Sequence, residues 1–127
     1  MVVDSSAIIA ILENEPEARR FSERIAEATP ARMSVVSFVE TSMVMYGRRG
    51  RTRDLDDLLA TLKIELVDLD HAQALLALDA FARYGKGQHP AKLNLGDLFS
   101  YALAKHLGEP LLFKGGDFAV TDIPRAL

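Results

Sequence analysis

Four acids stand where carboxylates can do chemistry. Asp4 directly follows the apolar run Met1-Val2-Val3, Glu40 lies early in a helical stretch, Asp97 opens a helix, and Asp117 comes just past an apolar strand. They are far apart in sequence, yet each falls at an expected strand end, just after one, or on the first turn of the next helix. In an open α/β sheet such positions converge on one crevice outside the carboxyl ends of the strands. Carboxylates gathered there repel one another and destabilise the fold unless a cation neutralises them. Hard oxygen donors suit Mg2+ or Mn2+, so the constellation reads as a divalent-metal site. Each acid also has a structural role open to it. Asp4 can cap the helix it precedes, Glu40 can complete a capping box with Ser37, Asp97 can pair with Asn94 at a helix start, and Asp117 can stabilise a turn. The joint pattern carries the metal reading.

Other residues are weaker candidates. Asp122 follows the last expected strand and rivals Asp117 for the fourth position. Ser5 and Ser6, beside Asp4, either orient a bound water or phosphate or simply continue the cap. Lys86, His89, Lys92 and Lys114 surround the acidic crevice in sequence and are candidate phosphate contacts, solvated loop charge being the alternative. Asp54, Asp56 and Asp57 favour a helix dipole, and Asp68 and Asp70 follow a strand expected at the sheet's edge. The three histidines have no spacing suited to zinc, and the absence of cysteine excludes thiolate sites and disulfides. No nucleophile-elbow, P-loop or dinucleotide fingerprint is present.

The elements that must position these acids alternate along the chain. A buried strand at residues 1–3 turns directly into a helix over Ser5 to Leu12, and Pro16 suits the first turn of a second helix, whose narrow apolar stripe is Phe21, Ile25 and Ala28. After Thr29-Pro30, residues 32–36 read as a strand, and Ser37 to Glu40 as the capping box of a helix stopping at Gly47. The arginines 48, 49, 51 and 53 lead into a helix over residues 55–62, and residues 64–67 form the third strand candidate. Asp70 caps a helix from His71 to about Arg83, and Gly85-Lys86-Gly87-Gln88-His89-Pro90 is a loop. Then come the helix of Asp97, a break at Gly108-Glu109-Pro110, a strand at residues 111–113, a turn ending in Asp117 and a last short strand around Val120. Strands and helices in alternation predict a parallel sheet with helices on both faces.

At 127 residues, with 49% hydrophobic and 26% charged residues, the chain suits one globular domain spanning residues 1–127. A formal charge of −3 and a pI near 5.6 argue against bulk electrostatic attachment to nucleic acid. Local basic patches, Arg48 to Arg53 and Lys86 to Lys92, must then supply any phosphate contacts. The apolar N-terminal run carries Asp4 and lacks basic residues, so neither a signal peptide nor a membrane anchor is expected, and a cytoplasmic location is the default.

Four stretches resemble one family: VVDSSAIIAIL at the start, SVVSFVETSMV around Glu40, YGKGQHPAKLNLGDLFSYALAK around Asp97, and LLFKGGDFAVTDI at the end. Together they span essentially the whole chain and are similar to the PIN-domain ribonucleases, and within these to the VapC toxins of bacterial toxin–antitoxin pairs. The resemblance implies a three-layer α/β/α domain with a parallel sheet of about five strands, and an acidic Mg2+ or Mn2+ site that cleaves RNA. By motif position Asp4, Glu40 and Asp97 match the family's three best-kept acids, Asp117 its more variable fourth, and Ser6 a small hydroxyl position near the first. It further implies a VapB-type antitoxin whose basic segment enters the crevice, and a homodimer. The helix after Pro16 and the Met43 to Tyr46 region are candidate docking surfaces, the latter with core packing as its other role. Two readings from other classes compete: a receiver-like phosphoacceptor domain, with Lys114 as its lysine, and a catalytically idle PIN-like interaction module.

Overall fold

Val2–Val3 form β1, and Asp4, in an extended conformation, ends it while its side chain accepts the Ser6 N–H at 3.0 Å. The strand therefore passes into α1, Ser5–Leu12, with no intervening loop. The remaining elements are α2 (Ala18–Glu27), β2 (Arg32–Ser34), α3 (Val35–Arg49), α4 (Arg53–Thr61), β3 (Glu65–Val67), α5 (His71–Tyr84), α6 (Leu95–Leu107) and β4 (Leu111–Leu112). This is the architecture of a computed structural model that describes every residue except Thr29 and Gln88. Those two, in the expected break before β2 and the expected loop after α5, lie outside the described residues.

All strands are parallel, in the order β3-β2-β1-β4. The chain steps from β1 to β2 to β3 in one direction, then crosses back to lay β4 on the other side of β1. That reversal puts a topological switch point between β1 and β4, directly beyond which Asp4 sits. The pleat divides the core into two layers, since successive strand residues face opposite sides. Val2 and Leu111 pack with Ala80, Tyr101 and Leu103 of α5 and α6, whereas Val3 and Leu112 pack with Ile8, Phe21, Ile25 and Leu55 of α1, α2 and α4. Helices thus cover both faces, as expected from the alternation. No helix of the described residues is long and apolar enough to cross a membrane.

Several boundaries differ from expectation, each for a local reason. The helix of Glu40 starts three residues early: Ser34, not Ser37, is the cap, its Oγ accepting the Val36 N–H at 3.2 Å. The same helix runs through Gly47 to Arg49 and ends at Gly50, whose φ of 68° is the left-handed conformation that closes a helix at little steric cost. The strand expected around Val120 is instead a 3-10 turn, Phe118–Val120, which buries Phe118 against Phe113. Among the described residues the sheet has four strands where about five were expected. Beyond β4 the chain makes only one further parallel bridge, Leu111 to Arg125, with the Leu111 N–H donating to the Pro124 carbonyl and the Ala126 N–H to that of Leu111. A proline at this place suits an outermost segment, because it brings no donor to the ladder.

The candidate docking surfaces also resolve. Phe21 and Ile25 of α2 are buried in the core, so its apolar stripe is already covered. The buried hydrophobic residue of α3 is Met45, while Val39, Met43 and Tyr46 are exposed; core packing is therefore not the role of Met43 or Tyr46. They line an open apolar groove of about 450 Å³ with Phe38, Ser42 and Thr52.

Candidate active site

Asp4 is 2% exposed and held from three directions. Its backbone N–H donates to the Leu112 carbonyl at 2.9 Å, its Oδ2 accepts from Ser6 N–H, and its Oδ1 accepts from the Ser100 hydroxyl at 2.5 Å. Ser6 adds a second stitch across the switch point, its Oγ accepting the Lys114 N–H at 3.0 Å. The cap role foreseen for Asp4 is thus real, yet it occupies only one of the two carboxylate oxygens.

Glu40 reaches the same edge from α3. Because Ser34 caps that helix, Glu40 lies in its second turn and its carboxylate is not spent on a capping box. Ser5 donates to Glu40 Oε1, and the carboxylate lies against Gly96 at the start of α6. A Cβ at Gly96 would stand 1.9 Å from Glu40 Oε2, so the side chain sits in space that only a glycine leaves open. The N-terminal end of a helix favours such an anion.

Asp97 closes a full capping box. Asn94 Oδ1 accepts the Asp97 N–H at 2.9 Å, and Asp97 Oδ2 accepts the Asn94 N–H at 3.0 Å. It is the third residue of α6 and not its first. Burial, opposed by the Asn94 hydrogen bond, pushes the Asp97 carboxyl up from an ordinary aspartate value to about 7, and the negative charges of Asp4, Asp117 and Glu40 add to the rise. Three acids from distant parts of the chain thus bear on Asp97 at one sheet edge.

Asp122 is elsewhere engaged. It accepts from the Tyr101 hydroxyl and from Lys105 Nζ at 2.7 Å, with Arg83 at 3.5 Å. Burial would raise its carboxyl, but these partners hold it down at about 2. It clamps the C-terminal segment to α6 and α5, and the charges that act on Asp97 include Asp117 and not Asp122. Asp117 itself is exposed, at the start of the 3-10 turn, and makes no cap bond there.

The basic candidates divide. Lys114 turns its ammonium to Glu15 and Glu17, away from the role of a crevice lysine. Lys86 and Lys92 are exposed on a loop tied down by Lys86 N–H to the Leu93 carbonyl and Lys92 N–H to that of His89. His89 accepts the Ala91 N–H through Nδ1 and stacks edge-on to Tyr84, a loop-shaping role. Arg49 binds the Leu12 carbonyl and Asp54, so part of the arginine cluster joins α1, α3 and α4.

Two residues at the site, Ser100 and Gly96, are not singled out by the sequence reading. Ser100, fully buried, bridges Asp4 and Ser37, the two serine hydroxyls lying 2.9 Å apart. Its only signal was its place three residues after Asp97, on the same helix face. Gly96 was visible as a glycine unusually early in a helix.

By charge and donor type the four acids fit a hard divalent cation. Among the described residues no three such side chains are placed close enough to ligate one ion together.

Known proteins resemble this chain in sequence and in fold. The profile of the PIN domain matches residues 1–124. Ribonuclease VapC of Mycolicibacterium smegmatis is 47% identical over 125 residues, spanning 97% of each chain. Ribonuclease VapC30 of Mycobacterium tuberculosis is 49% identical over 126 residues, covering 97% of this chain and 95% of its own. In fold, the crystal structure of Mycobacterium tuberculosis VapC20 superimposes with a TM-score of 0.74 at 16% identity, over 96% of this chain and 95% of that one. Residues 1–124 match the domain, and two ribonucleases match nearly end to end; the chain belongs to the PIN-domain family and, within it, to the VapC ribonucleases.

Proposed function

We propose that this chain is a divalent-metal-dependent endoribonuclease, the toxin of a VapBC-type toxin–antitoxin pair, which cleaves RNA at the crevice of Asp4, Glu40, Asp97 and Asp117. The observation that carries the reading is the convergence of acids from distant parts of the chain on the end of the β1 strand, where burial first, and then the charges of Asp4, Asp117 and Glu40, raise the Asp97 carboxyl. The relatives named as VapC ribonucleases support the substrate class, and VapC20 is described as a sarcin-ricin loop cleaving toxin.

Asp4 and Asp97 are the principal ligands in this reading, with Glu40 and Asp117 binding directly or through water to Mg2+ or Mn2+. Bound there, the ion would lower the pKa of a water and neutralise charge on the phosphate. The protein's own part is positional. Ser6 and the Lys114 backbone hold the β1 and β4 ends together. Ser5 and Gly96 fix where the Glu40 carboxylate lies, and Asn94 fixes the start of the helix that bears Asp97. Lys86 and Lys92, exposed near α6, are the candidate RNA contacts. The receiver-like alternative loses its lysine, since Lys114 is taken up by Glu15 and Glu17.

A VapB-type antitoxin would bring a basic segment to the same acidic crevice and compete with metal and RNA for it. A toxin–antitoxin complex from Klebsiella pneumoniae has this fold, with a TM-score of 0.73 at 18% identity. The exposed apolar groove on α3 suits a second copy in a homodimer or the antitoxin's apolar portion. Cytoplasmic action follows from such a role.

Purified protein incubated with total cellular RNA should cleave it with Mg2+ or Mn2+ and stop on chelation. Cleavage that survives chelation would overturn the metal-dependent reading. The fourth acid is separable from its rival: Asp117→Asn should lower cleavage at least about 10-fold with little loss of stability. Asp122→Asn should keep cleavage but lower the unfolding free energy by about 1–2 kcal/mol, through its hydrogen bonds to Tyr101 and Lys105. The opposite assignment of effects would make Asp122 the fourth acid.

A further inference from the structure

We propose that Ser100 is a positioning residue of the acidic crevice: its hydroxyl, held from behind by Ser37, fixes the Asp4 carboxylate in the orientation that receives the divalent cation. This rests on the metal reading given above.

Helical serines and threonines ordinarily turn their hydroxyls back to a carbonyl four residues earlier. Thr41 and Ser42 of α3 do so, donating to the Ser37 and Phe38 carbonyls at 2.8 and 2.7 Å. Ser100 instead reaches out of its own helix to a carboxylate 96 residues away. Its neighbours on α6, Tyr101, Ala102, Leu103 and Ala104, are all core residues, and an alanine at position 100 would serve packing as well. The hydroxyl at this fully buried place therefore answers to Asp4.

Proton bookkeeping gives the chain a direction. A serine has one proton to donate. Ser100 spends it on Asp4 Oδ1, so the 2.9 Å contact with Ser37 requires Ser37 to donate to Ser100. Asp4 Oδ2 takes the Ser6 N–H. Each carboxylate oxygen then has one donor and retains a lone pair, and the plane of the group is fixed by two bonds from opposite sides. Because Ser100 and Asp97 lie three residues apart on one helix, the same bond sets Asp4 in register with Asp97. Outer partners that orient metal-binding side chains are typically worth about 10–100-fold in metal affinity.

The test is Mn2+ binding to the metal-free full chain by titration calorimetry, with melting temperature measured beside it. Ser100→Ala should weaken Mn2+ binding about 10–100-fold in a metal-free protein that still folds, melting a few degrees lower because the buried Asp4 loses a donor. Ser100→Cys, near the same volume but a weak donor, should be weakened as well, and Ser37→Ala should fall between wild type and Ser100→Ala. Wild-type affinity in Ser100→Cys would mean that the position needs filling and not a donor, and would overturn the proposal. Affinity in Ser100→Ala within about twofold of a wild type that does bind Mn2+ overturns it too, leaving the metal site intact. A wild type that binds no Mn2+ overturns the metal reading and this inference with it. Should Ser100→Ala fail to fold, Ser100→Cys and Ser37→Ala decide the matter by the same criteria.

Discussion

Asp97→Asn is expected to make the metal-free protein more stable above pH 7 and, at the same time, to reduce metal-dependent RNA cleavage by at least about 100-fold. The two effects share one cause. In the folded protein the Asp97 carboxyl is raised to about 7 from a value of 3.8, mainly by burial and further by Asp4, Asp117 and Glu40. A raised carboxyl binds its proton more tightly folded than unfolded. That contribution is complete below about pH 4 and disappears as the pH climbs through 7. Three units correspond to about 4 kcal/mol, and because Asp97 is half-buried, solvent screening brings this to about 2 kcal/mol. Asparagine carries no charge at any pH, and its amide oxygen can still accept the Asn94 N–H. Urea unfolding of the metal-free proteins should thus find the variant ahead by about 2 kcal/mol at pH 8 and level with wild type at pH 4. A variant less stable at pH 8, or one that still cleaves RNA at the wild-type rate, would show that Asp97 is a cap and nothing more.

Gly96→Ala should cost activity without costing the fold. Its methyl would stand 1.9 Å from Oε2 and 2.5 Å from Cδ of Glu40. Those atoms are the far end of a flexible side chain, so the carboxylate moves and the backbone stays. Alanine in a helix is favoured over glycine by about 0.5–1 kcal/mol, which offsets the displacement, and the melting temperature should hold or rise slightly. Cleavage should fall about 10–100-fold, the range for losing an orienting contact around a metal ligand. Glu40→Asp withdraws the carboxylate from Gly96, so the double variant should lose no more activity than Glu40→Asp alone, a non-additivity that identifies the clash as the cause. Additive losses would place the effect of Gly96 somewhere other than Glu40.

The sequence made parts of this site legible for identifiable reasons. Asp4 announced itself as an acid ending an apolar run, and Asp97 as an acid beside Asn94 at a helix start. Both signals are local, and the structure keeps both caps. Glu40 was expected on the first turn of its helix, with a capping box as its structural alternative, and that box does not exist. Two serines, Ser34 and Ser37, compete for the cap, and sequence spacing alone favours the one that has a glutamate three residues on. The fold chooses Ser34, because Met33 and Ser34 complete β2 beside β3 while Ser37 is drawn into the interior against Ser100. Ser100 was invisible for the same reason: its partner Asp4 is at the other end of the chain, and nothing near it in sequence betrays the bond. The pairing of Leu111 with Arg125 was hidden by Pro124, which reads as a strand breaker but here only accepts. Asp122 remained a rival to Asp117 until its contacts with Tyr101 and Lys105 were known.

The strand order has a consequence for the timing of synthesis. β1 precedes the rest of the domain in synthesis but stands in the interior of the sheet, and its neighbour β4 is made only after the helices α1 to α6. Until Leu111 and Leu112 pair with Val2 and Val3, Asp4 lacks both the Leu112 carbonyl that anchors its backbone and a settled place opposite Ser100. Contacts so distant along the chain form late, after the loop-closure entropy has been met. A polypeptide interrupted before β4 therefore carries Asp4, Glu40 and Asp97 without the strand that completes the sheet edge around them.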